Sequence, residues 1–219
     1  MKALVIGGTG LVGKELTKQL LENDKFDEIV LFLRRNTGLA HQKLKEEIVD
    51  FDHPEQWEHL LQGDILFSAL GTTLKTAGSK AAQFKVDYTY QYQCAKAASA
   101  NGVKNYVLVS STGAAPKSQI FYSRIKGELD EAVLKLPFQH HFILRPSLLM
   151  GKRGEQRKGE AWAQTIMPAL TKYLFKKYRP IPAKTVAQAM IRAALGEASK
   201  TIYTLDEIFA LASSGSSAG

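Results

Sequence analysis

The segment Val5-Ile6-Gly7-Gly8-Thr9-Gly10-Leu11-Val12-Gly13 constrains the fold of this chain more than any other. A short apolar run at 2–6 leads into a glycine cluster. An amphipathic stretch then opens, with apolar residues at Leu11, Val12, Leu16, Leu20 and Leu21, the spacing of one helix face. A strand, a glycine loop and a helix in that order can cradle phosphate. A pyrophosphate must reach the backbone N–H groups at the helix start, and a side chain there would block it. Gly8-x-Gly10-x-x-Gly13 and Gly7-x-x-Gly10-x-x-Gly13 both fit the segment. One glycine makes the turn, one admits the phosphate, and one lets helix and strand pack closely. A plain glycine-rich connector has the same composition, but the strand–loop–helix context favours dinucleotide binding. Gly7, Thr9, Gly10, Leu11, Val12 and Gly13 are the expected cofactor contacts here.

The strand-then-helix pattern recurs along the chain. Further strands are expected at 28–33, 47–51, 64–69, 104–110 and 139–144. Helices are expected at 11–22, 52–61, 80–101 and 119–136, with Pro54 in the first turn of the second. Asn101-Gly102 closes the long helix and Pro137 stops the next. The strand cores ALVI, IVLFL, ILFSAL and YVLV are apolar on both faces, as a sheet covered by helices requires. Alternating strands and helices pair in parallel through right-handed crossovers. The expected fold is α/β, a doubly wound, Rossmann-like parallel sheet with helices on both faces. A polar loop at 151–159, helices at 160–177 and 183–195 and a short strand at 201–205 follow. The reading is one domain over 1–212, with a small C-terminal helical cap drawn mainly from 151–200. The tail from Ser213, SSGSSAG, is low in complexity and is expected to be flexible over 213–219.

Composition narrows the function. The 219 residues carry 29 Lys plus Arg against 21 Asp plus Glu, a net charge of +8, which permits attraction to phosphates. The single cysteine, Cys94, excludes a disulfide framework and a Cys-rich zinc site. It lies mid-helix among alanines and reads as a small buried hydrophobe. His140 and His141 are adjacent, so on a strand they point to opposite faces, and no metal is expected. No apolar run approaches the ~18 residues that span a membrane, so no membrane partner is expected. The opening apolar run breaks after five residues and does not read as a secretory signal. A cytoplasmic location is the expectation. Lys172, Lys176, Lys177 and Arg179 mix with Tyr173, Phe175 and Tyr178. A solvated helix face explains this cluster better than nucleic-acid binding does.

The strand ends carry the cofactor chemistry. An NAD site usually has an acid at the end of the second strand to hold the ribose 2′-OH. Here that strand ends in Arg34-Arg35-Asn36. Two guanidiniums suit a 2′-phosphate, so NADP(H) is the expected cofactor and NAD(H) the alternative. The third expected strand ends in Val49-Asp50-Phe51. Asp50 could accept from the adenine amino group while Phe51 packs beside the ring, or Asp50 could form a capping cluster with Asp52. The fourth ends in Ala69-Leu70-Gly71, small enough to let backbone meet the cofactor.

The fifth strand ends in Ser110-Ser111-Thr112-Gly113, at the sheet edge where such folds bind ligands. Tyr122 and Lys126 follow, four apart and therefore on one helix face. A phenol has a reference pKa of about 10, and a nearby ammonium favours the phenolate. Such a pair can work as an acid/base, and a serine hydroxyl beside it can polarise a carbonyl.

GGTGLVG, the ALG strand end, VDYTYQYQCAKAASANGVKNYVLVSS, YSRIK and ILRPSLLMG together resemble the extended and atypical branches of the short-chain dehydrogenase/reductase superfamily. LGTT, VDYTYQ, SSTGA and YSRIKGELD are most similar to the small TIP30-like NAD(P)-binding proteins within it. The resemblance implies Tyr122 as general acid/base, Lys126 as its activator and a ribose ligand, and Ser111, rather than Ser110, as the substrate-polarising serine. It implies that Arg145-Pro146, Ser147 and Leu148 border the nicotinamide. Asp87 stands where members often have asparagine. The larger C-terminal domain of sugar-nucleotide members has no counterpart in this length. The expected activity is NADP(H)-dependent hydride transfer with a small carbonyl or alcohol substrate. The alternative is an NADP(H)-binding redox sensor or regulator that acts on a protein partner without efficient turnover.

Overall fold

The apolar runs become the inner strands of one parallel sheet. The computed structural model describes residues 1–150 and 179–214. In chain order the strands are β1 (Lys2–Ile6), β2 (Glu28–Leu33), β3 (Leu44–Ile48), β4 (Ile65–Ser68), β5 (Asn105–Val109) and β6 (His140–Arg145). Then come β7 (Leu149–Met150), β8 (Ile181–Pro182) and β9 (Ile202–Thr204). The main sheet runs β3-β2-β1-β4-β5-β6-β9 and every adjacent pair is parallel. β7 and β8 form a separate parallel pair. Strand order reverses between β1 and β4, which opens a crevice at their carboxyl ends.

Alternation along the strands builds two cores. Ala3, Val5, Ile29 and Leu31 face one side with Val12, Leu16 and Leu20 of α1 (Leu11–Leu21). Val186 and Met190 of α6 (Ala183–Arg192), and Ile208 and Leu211 of α7 (Asp206–Ser213), complete this layer. Leu4, Ile6, Val30 and Phe32 face the other side. There they meet Cys94, Ala95 and Ala98 of α4 (Tyr90–Ala100), and Leu129 and Val133 of α5 (Phe121–Leu134). Each buried leucine or valine contributes roughly 1.5–3 kcal/mol. The doubly wound, Rossmann-like sheet expected from the strand cores is the observed fold.

Several boundaries differ from expectation. The third strand lies at Leu44–Ile48, not at 47–51. As an edge strand it is half covered, so its letters, LKEEI, are mostly polar. The chain leaves the sheet at Val49, whose N–H donates to the Leu33 carbonyl at 2.8 Å. The helix expected at 52–61 is two 3-10 turns, Pro54–Gln56 and Glu58–Leu60. Trp57 separates them at φ −140°, and its Nε1 donates to the Asp50 carbonyl at 2.7 Å. The long helix is α3 (Lys80–Phe84) joined to α4 through a π-turn at Lys85–Thr89. The short α2 (Leu74–Ala77), capped by Thr73, precedes it. The helix expected at 183–195 is α6 followed by a wide turn, where Gly196 takes φ +88°.

Helix α7 carries no periodic signal long enough to be read alone, yet Ile208 and Leu211 bury against the sheet layer. It reaches Ser213, so the expected tail begins inside a helix. Residues 215–219 lie outside the described residues. So do the loop at 151–159, the helix at 160–177, most of the expected cap, and Lys172, Lys176 and Lys177 of the basic cluster. Arg179 is described: its Nε pairs with Asp206 Oδ1 at 3.1 Å and its guanidinium lies 3.8 Å from the Phe209 ring centre. No helix among the described residues is long and apolar enough to cross a membrane.

Candidate active site

The glycine loop turns sharply where β1 ends. Gly7 takes φ +81°, and the Gly10 N–H donates to the Gly7 carbonyl at 2.9 Å. A Cβ on Gly7 would lie 2.4 Å from the Leu70 nitrogen, and a Cβ on Gly13 would lie 2.0 Å from the Gly7 oxygen. Gly7 thus lets the loop pack on the strand end Ala69-Leu70, and Gly13 lets α1 start against the loop. A Cβ on Gly8 would meet side chains rather than backbone, Leu31 at 3.2 Å and Thr17 Oγ1 at 3.4 Å. Gly10 caps α1 with no side-chain bond of its own, and Thr9 and Gly10 are exposed. The first-turn N–H groups at Leu11, Val12 and Gly13 therefore meet no capping side chain. A bare helix N-terminus behind a small-residue loop fits a pyrophosphate.

Arg34 and Arg35 follow β2 directly and are exposed. Neither forms an ion pair among the described residues. Beyond β3, Asp50 is engaged locally: its carboxylate accepts from the Asp52 N–H at 2.9 Å and meets His53 Nδ1 at 2.9 Å. These bonds hold the Asp50 carboxyl below its usual range, the Asp52 amide contributing most and His53 next. Phe51 is buried, packed on Trp57 and Tyr90 at ring distances of 5.3 and 5.4 Å. Asp50 thus bonds Asp52 and His53 locally, no side chain caps the 3-10 turn that follows, and Phe51 packs in the core.

The loops after β5 and β6 are tied together. The Thr112 N–H donates to the Pro146 carbonyl, and Thr112 Oγ1 to the Arg145 carbonyl, both at 2.9 Å. The two serines at the β5 end separate here. Ser110 is buried and donates through Oγ to Asp130 Oδ2 at 3.0 Å. Ser111 is half-buried, and its Oγ reaches only the Thr112 carbonyl, at 3.3 Å. Ser147 Oγ donates to the Arg179 carbonyl at 2.5 Å, while Leu148 is exposed.

Tyr122, Lys126 and Asp130 share one face of α5 at four-residue spacing. Gly127 sets the helix in place: a Cβ there would lie 2.3 Å from the Ala115 carbonyl carbon. Tyr122 is exposed at the helix start. Lys126 is buried, its Nζ 6.0 Å from the Tyr122 ring centre and 3.1 Å from Asp87 Oδ1. Asp87, also buried, accepts through Oδ2 from the Thr72 N–H at 3.3 Å. Gly71 fits beside them: its Cβ would stand 3.2 Å from Asp87 Oδ1 and 3.9 Å from Lys126 Nζ. Burial pulls the Lys126 ammonium down, but Tyr122, Asp87 and Asp130 outweigh it, so its pKa lies above the ordinary lysine value. Burial raises the Asp130 carboxyl, against the opposing pull of Ser110 and Arg145. Arg145 Nε donates to Asp130 Oδ2 at 2.9 Å.

The structure thus gathers Gly7, Gly10, Gly71, Ser111, Tyr122, Lys126 and Pro146 at one sheet edge. Asp130, Gly127 and the Asp87 pairing were not singled out in the sequence. Asp130 was within reach, because it repeats the four-residue step from Tyr122 through Lys126. Asp87 was named by resemblance alone, and its pairing with Lys126 was out of reach, since a π-turn sets its direction. Among the described residues no group of three His, Cys, Asp or Glu could hold a metal ion.

The profile of the NAD(P)H-binding family matches residues 7–195. "Protein FMP52, mitochondrial" from Candida glabrata is 35% identical over 211 residues, covering 90% of this chain and 87% of that protein. The Saccharomyces cerevisiae protein of the same name is 36% identical over 162 residues, covering 72% and 70%. Among solved structures, the oxidoreductase ylbE from Lactococcus lactis is 25% identical, with a TM-score of 0.58, covering 70% of this chain and 72% of its own. A UDP-glucose 4-epimerase from Thermotoga maritima, solved with UDP-glucose, shares the fold: TM-score 0.68 at 14% identity, covering 98% and 82%. The mitochondrial naming of these relatives corrects the expectation of a cytoplasmic protein. That expectation rested on the lack of a secretory or membrane signal, which does not distinguish the two compartments.

Proposed function

Because the chain belongs to the NAD(P)H-binding family, alongside the FMP52 proteins and with the short-chain dehydrogenase/reductase fold, we propose that it is an NADP(H)-dependent oxidoreductase acting on a small carbonyl or alcohol. One observation carries this reading. The glycine cradle at the start of α1 and the Ser111, Tyr122 and Lys126 side chains occupy the same edge of the sheet.

Gly7, Thr9, Gly10, Leu11, Val12 and Gly13 would hold the pyrophosphate, and Arg34 and Arg35 the 2′-phosphate. Ala69, Leu70 and Gly71 would pass beside the cofactor as bare backbone, with Pro146, Ser147 and Leu148 on the far side. The bound nicotinamide supplies or accepts hydride. Tyr122 gives its phenolic proton to the substrate oxygen during reduction and takes it back during oxidation. Ser111 donates a hydrogen bond to the same oxygen as negative charge develops on it. Lys126 keeps a positive charge beside the phenol, which favours the phenolate left by proton transfer. Leu74 at the start of α2, Ile120 just before α5 and Leu148 after β6 are exposed and support a substrate with an apolar flank.

The names of the relatives support action in mitochondria, which fractionation of the tagged protein tests. The activity itself is tested by NADPH oxidation across a panel of aldehydes and ketones, with Tyr122→Phe alongside. Turnover that disappears in the variant while NADPH still binds supports the assignment. Undiminished turnover removes Tyr122 as acid/base. NADPH binding with no turnover on any carbonyl favours the sensing reading, which a pull-down with and without NADPH then probes.

A further inference from the structure

The loop between β2 and β3 runs from Arg34 to Lys43 and carries both arginines. It has no helix or strand of its own. Its first part is tied to the sheet at one residue. Glu46, on the edge strand β3, accepts the Thr37 N–H on Oε2 at 3.1 Å and the Thr37 hydroxyl on Oε1. Thr37 passes this anchorage along the loop, because its Oγ1 also accepts from the Leu39 N–H at 3.1 Å. Asn36 Oδ1 accepts from the Gly38 N–H at 2.6 Å, and Gly38 takes φ +75° to make the bend. Among the described residues, no hydrogen bond besides those to Glu46 joins 34–40 to the rest of the protein.

Glu46 is half-buried, yet its carboxylate forms no ion pair among the described residues; its chain neighbour Lys45 pairs with Glu47 instead. Arg34 and Arg35 leave β2, the strand paired with β3, and form no ion pair either. A carboxylate bound to those guanidiniums would compete with a phosphate for them. A carboxylate occupied by an amide and a hydroxyl leaves their donors uncommitted. Strand pairing does not require the tie, because β3 holds β2 through its backbone, and Thr37 bonds a carboxylate little better than water does. What the two bonds remove is freedom in the loop before any ligand arrives. A ligand that must first order its site binds with less than its full contact energy.

We propose that Glu46 is a positioning residue for the choice of cofactor: by clipping Thr37 to β3 it holds the loop of Arg34 and Arg35 in order for a ribose 2′-phosphate, and so favours NADPH over NADH. The ligand follows from the function proposed above; the clip does not depend on it.

Amide hydrogen exchange without cofactor reads the clip. The Thr37 N–H should be protected in wild type and exchange about tenfold faster or more in Glu46→Ala. Glu46→Gln keeps an acceptor oxygen and should fall between them. Equal Thr37 rates in wild type and Glu46→Ala overturn the proposal. Thr37→Val leaves β3 untouched and covers the case in which Glu46→Ala does not fold. It should free the Leu39 amide, and an unchanged Leu39 rate overturns the clip.

Fluorescence titrations with NADPH and NADH then read the cofactor choice. Glu46→Ala should weaken NADPH binding about tenfold more than NADH binding. Equal changes for the two, or none, overturn the positioning role. The effect should vanish in protein that already carries Arg34→Ala and Arg35→Ala, because a positioning residue acts through the groups it holds. A selective loss that persists in that background overturns the role. A wild type that binds NADH as tightly as NADPH overturns the 2′-phosphate reading, and the exchange rates still decide the clip.

Discussion

Ser110 donates its hydroxyl to Asp130 at 3.0 Å, and the same carboxylate oxygen takes Arg145 at 2.9 Å. Ser110 therefore belongs to a buried ion-pair network below the site, and its neighbour Ser111 is left at the edge. The two serines should separate by experiment. Ser110→Ala leaves a buried carboxylate short of a donor and should cost about 1–3 kcal/mol in urea unfolding. Ser111→Ala should leave stability within about 0.5 kcal/mol and lower kcat by about 100-fold or more. The opposite pattern would make Ser110 the substrate-facing group.

Tyr122 lies exposed at the start of α5. Tyr122→Phe should therefore unfold at nearly the wild-type temperature and bind NADPH with similar affinity. Its turnover should drop by roughly 100- to 10,000-fold, the range for loss of a positioned acid/base. Stopped-flow measurement of NADPH oxidation separates the chemical step from binding.

Arg34 and Arg35 extend from the end of β2 with no ion-pair partner among the described residues. Each charge-assisted bond to a phosphate contributes about 1.5–3 kcal/mol. Arg34→Ala with Arg35→Ala should weaken NADPH binding by at least about tenfold and leave NADH binding almost unchanged. Parallel fluorescence titrations with both cofactors decide it. Unchanged NADPH affinity would assign the arginines to the protein surface, and equal loss for both would assign them to a part of the cofactor that NADH shares.

Gly13 has no room for a side chain, because its Cβ would stand 2.0 Å from the Gly7 oxygen. Gly13→Ala must push α1 away from the loop, with an overpacking cost of upward of ~2 kcal/mol, and should abolish dinucleotide binding. Gly8→Ala meets side chains that can shift, Leu31 at 3.2 Å and Thr17 Oγ1 at 3.4 Å, and should be milder in both assays. Thermal unfolding with and without NADPH distinguishes the two.

Removing Lys126 alone strands Asp87 in the interior. Lys126→Met should cost about 3–5 kcal/mol near neutral pH, and Lys126→Met with Asp87→Asn should recover most of it. The folded-state pKa of Lys126 lies above 10.5. Its stabilising contribution is therefore complete below that value and is lost as pH rises past the folded pKa. Urea unfolding of wild type and Lys126→Met across the alkaline range should show a constant gap up to about 10.5 and a narrowing one beyond.

Sequence legibility followed the range of the cause. Lys2–Ile6 and Glu28–Leu33 were readable to the residue, because a strand covered on both faces must be apolar throughout. The edge strand β3 was displaced in the reading, since half its surface meets water and its letters look like a loop. The π-turn was invisible: Lys85–Thr89 has no local feature that distinguishes it from ordinary helix, and its wide bond is supported from β4 through Gln91. The compartment was misread for a different reason. Missing secretory and membrane signals do not choose between cytoplasm and mitochondrion.

By itself the sequence determined what local chemistry requires: glycines where the backbone turns and a helix starts, apolar alternation for a covered parallel sheet, and the step from Tyr122 to Lys126. Those demands involve residues within a turn or two of one another, so their letters carry the answer. The tertiary structure alone decided that Ser110 faces Asp130 while Ser111 faces the edge. Adjacent residues diverge there, and the packing of α5 selects which of them is covered. It alone brought Asp87 from one helix against Lys126 of another. That contact depends on the summed packing of β4, the π-turn and α5, which no short stretch of chain encodes.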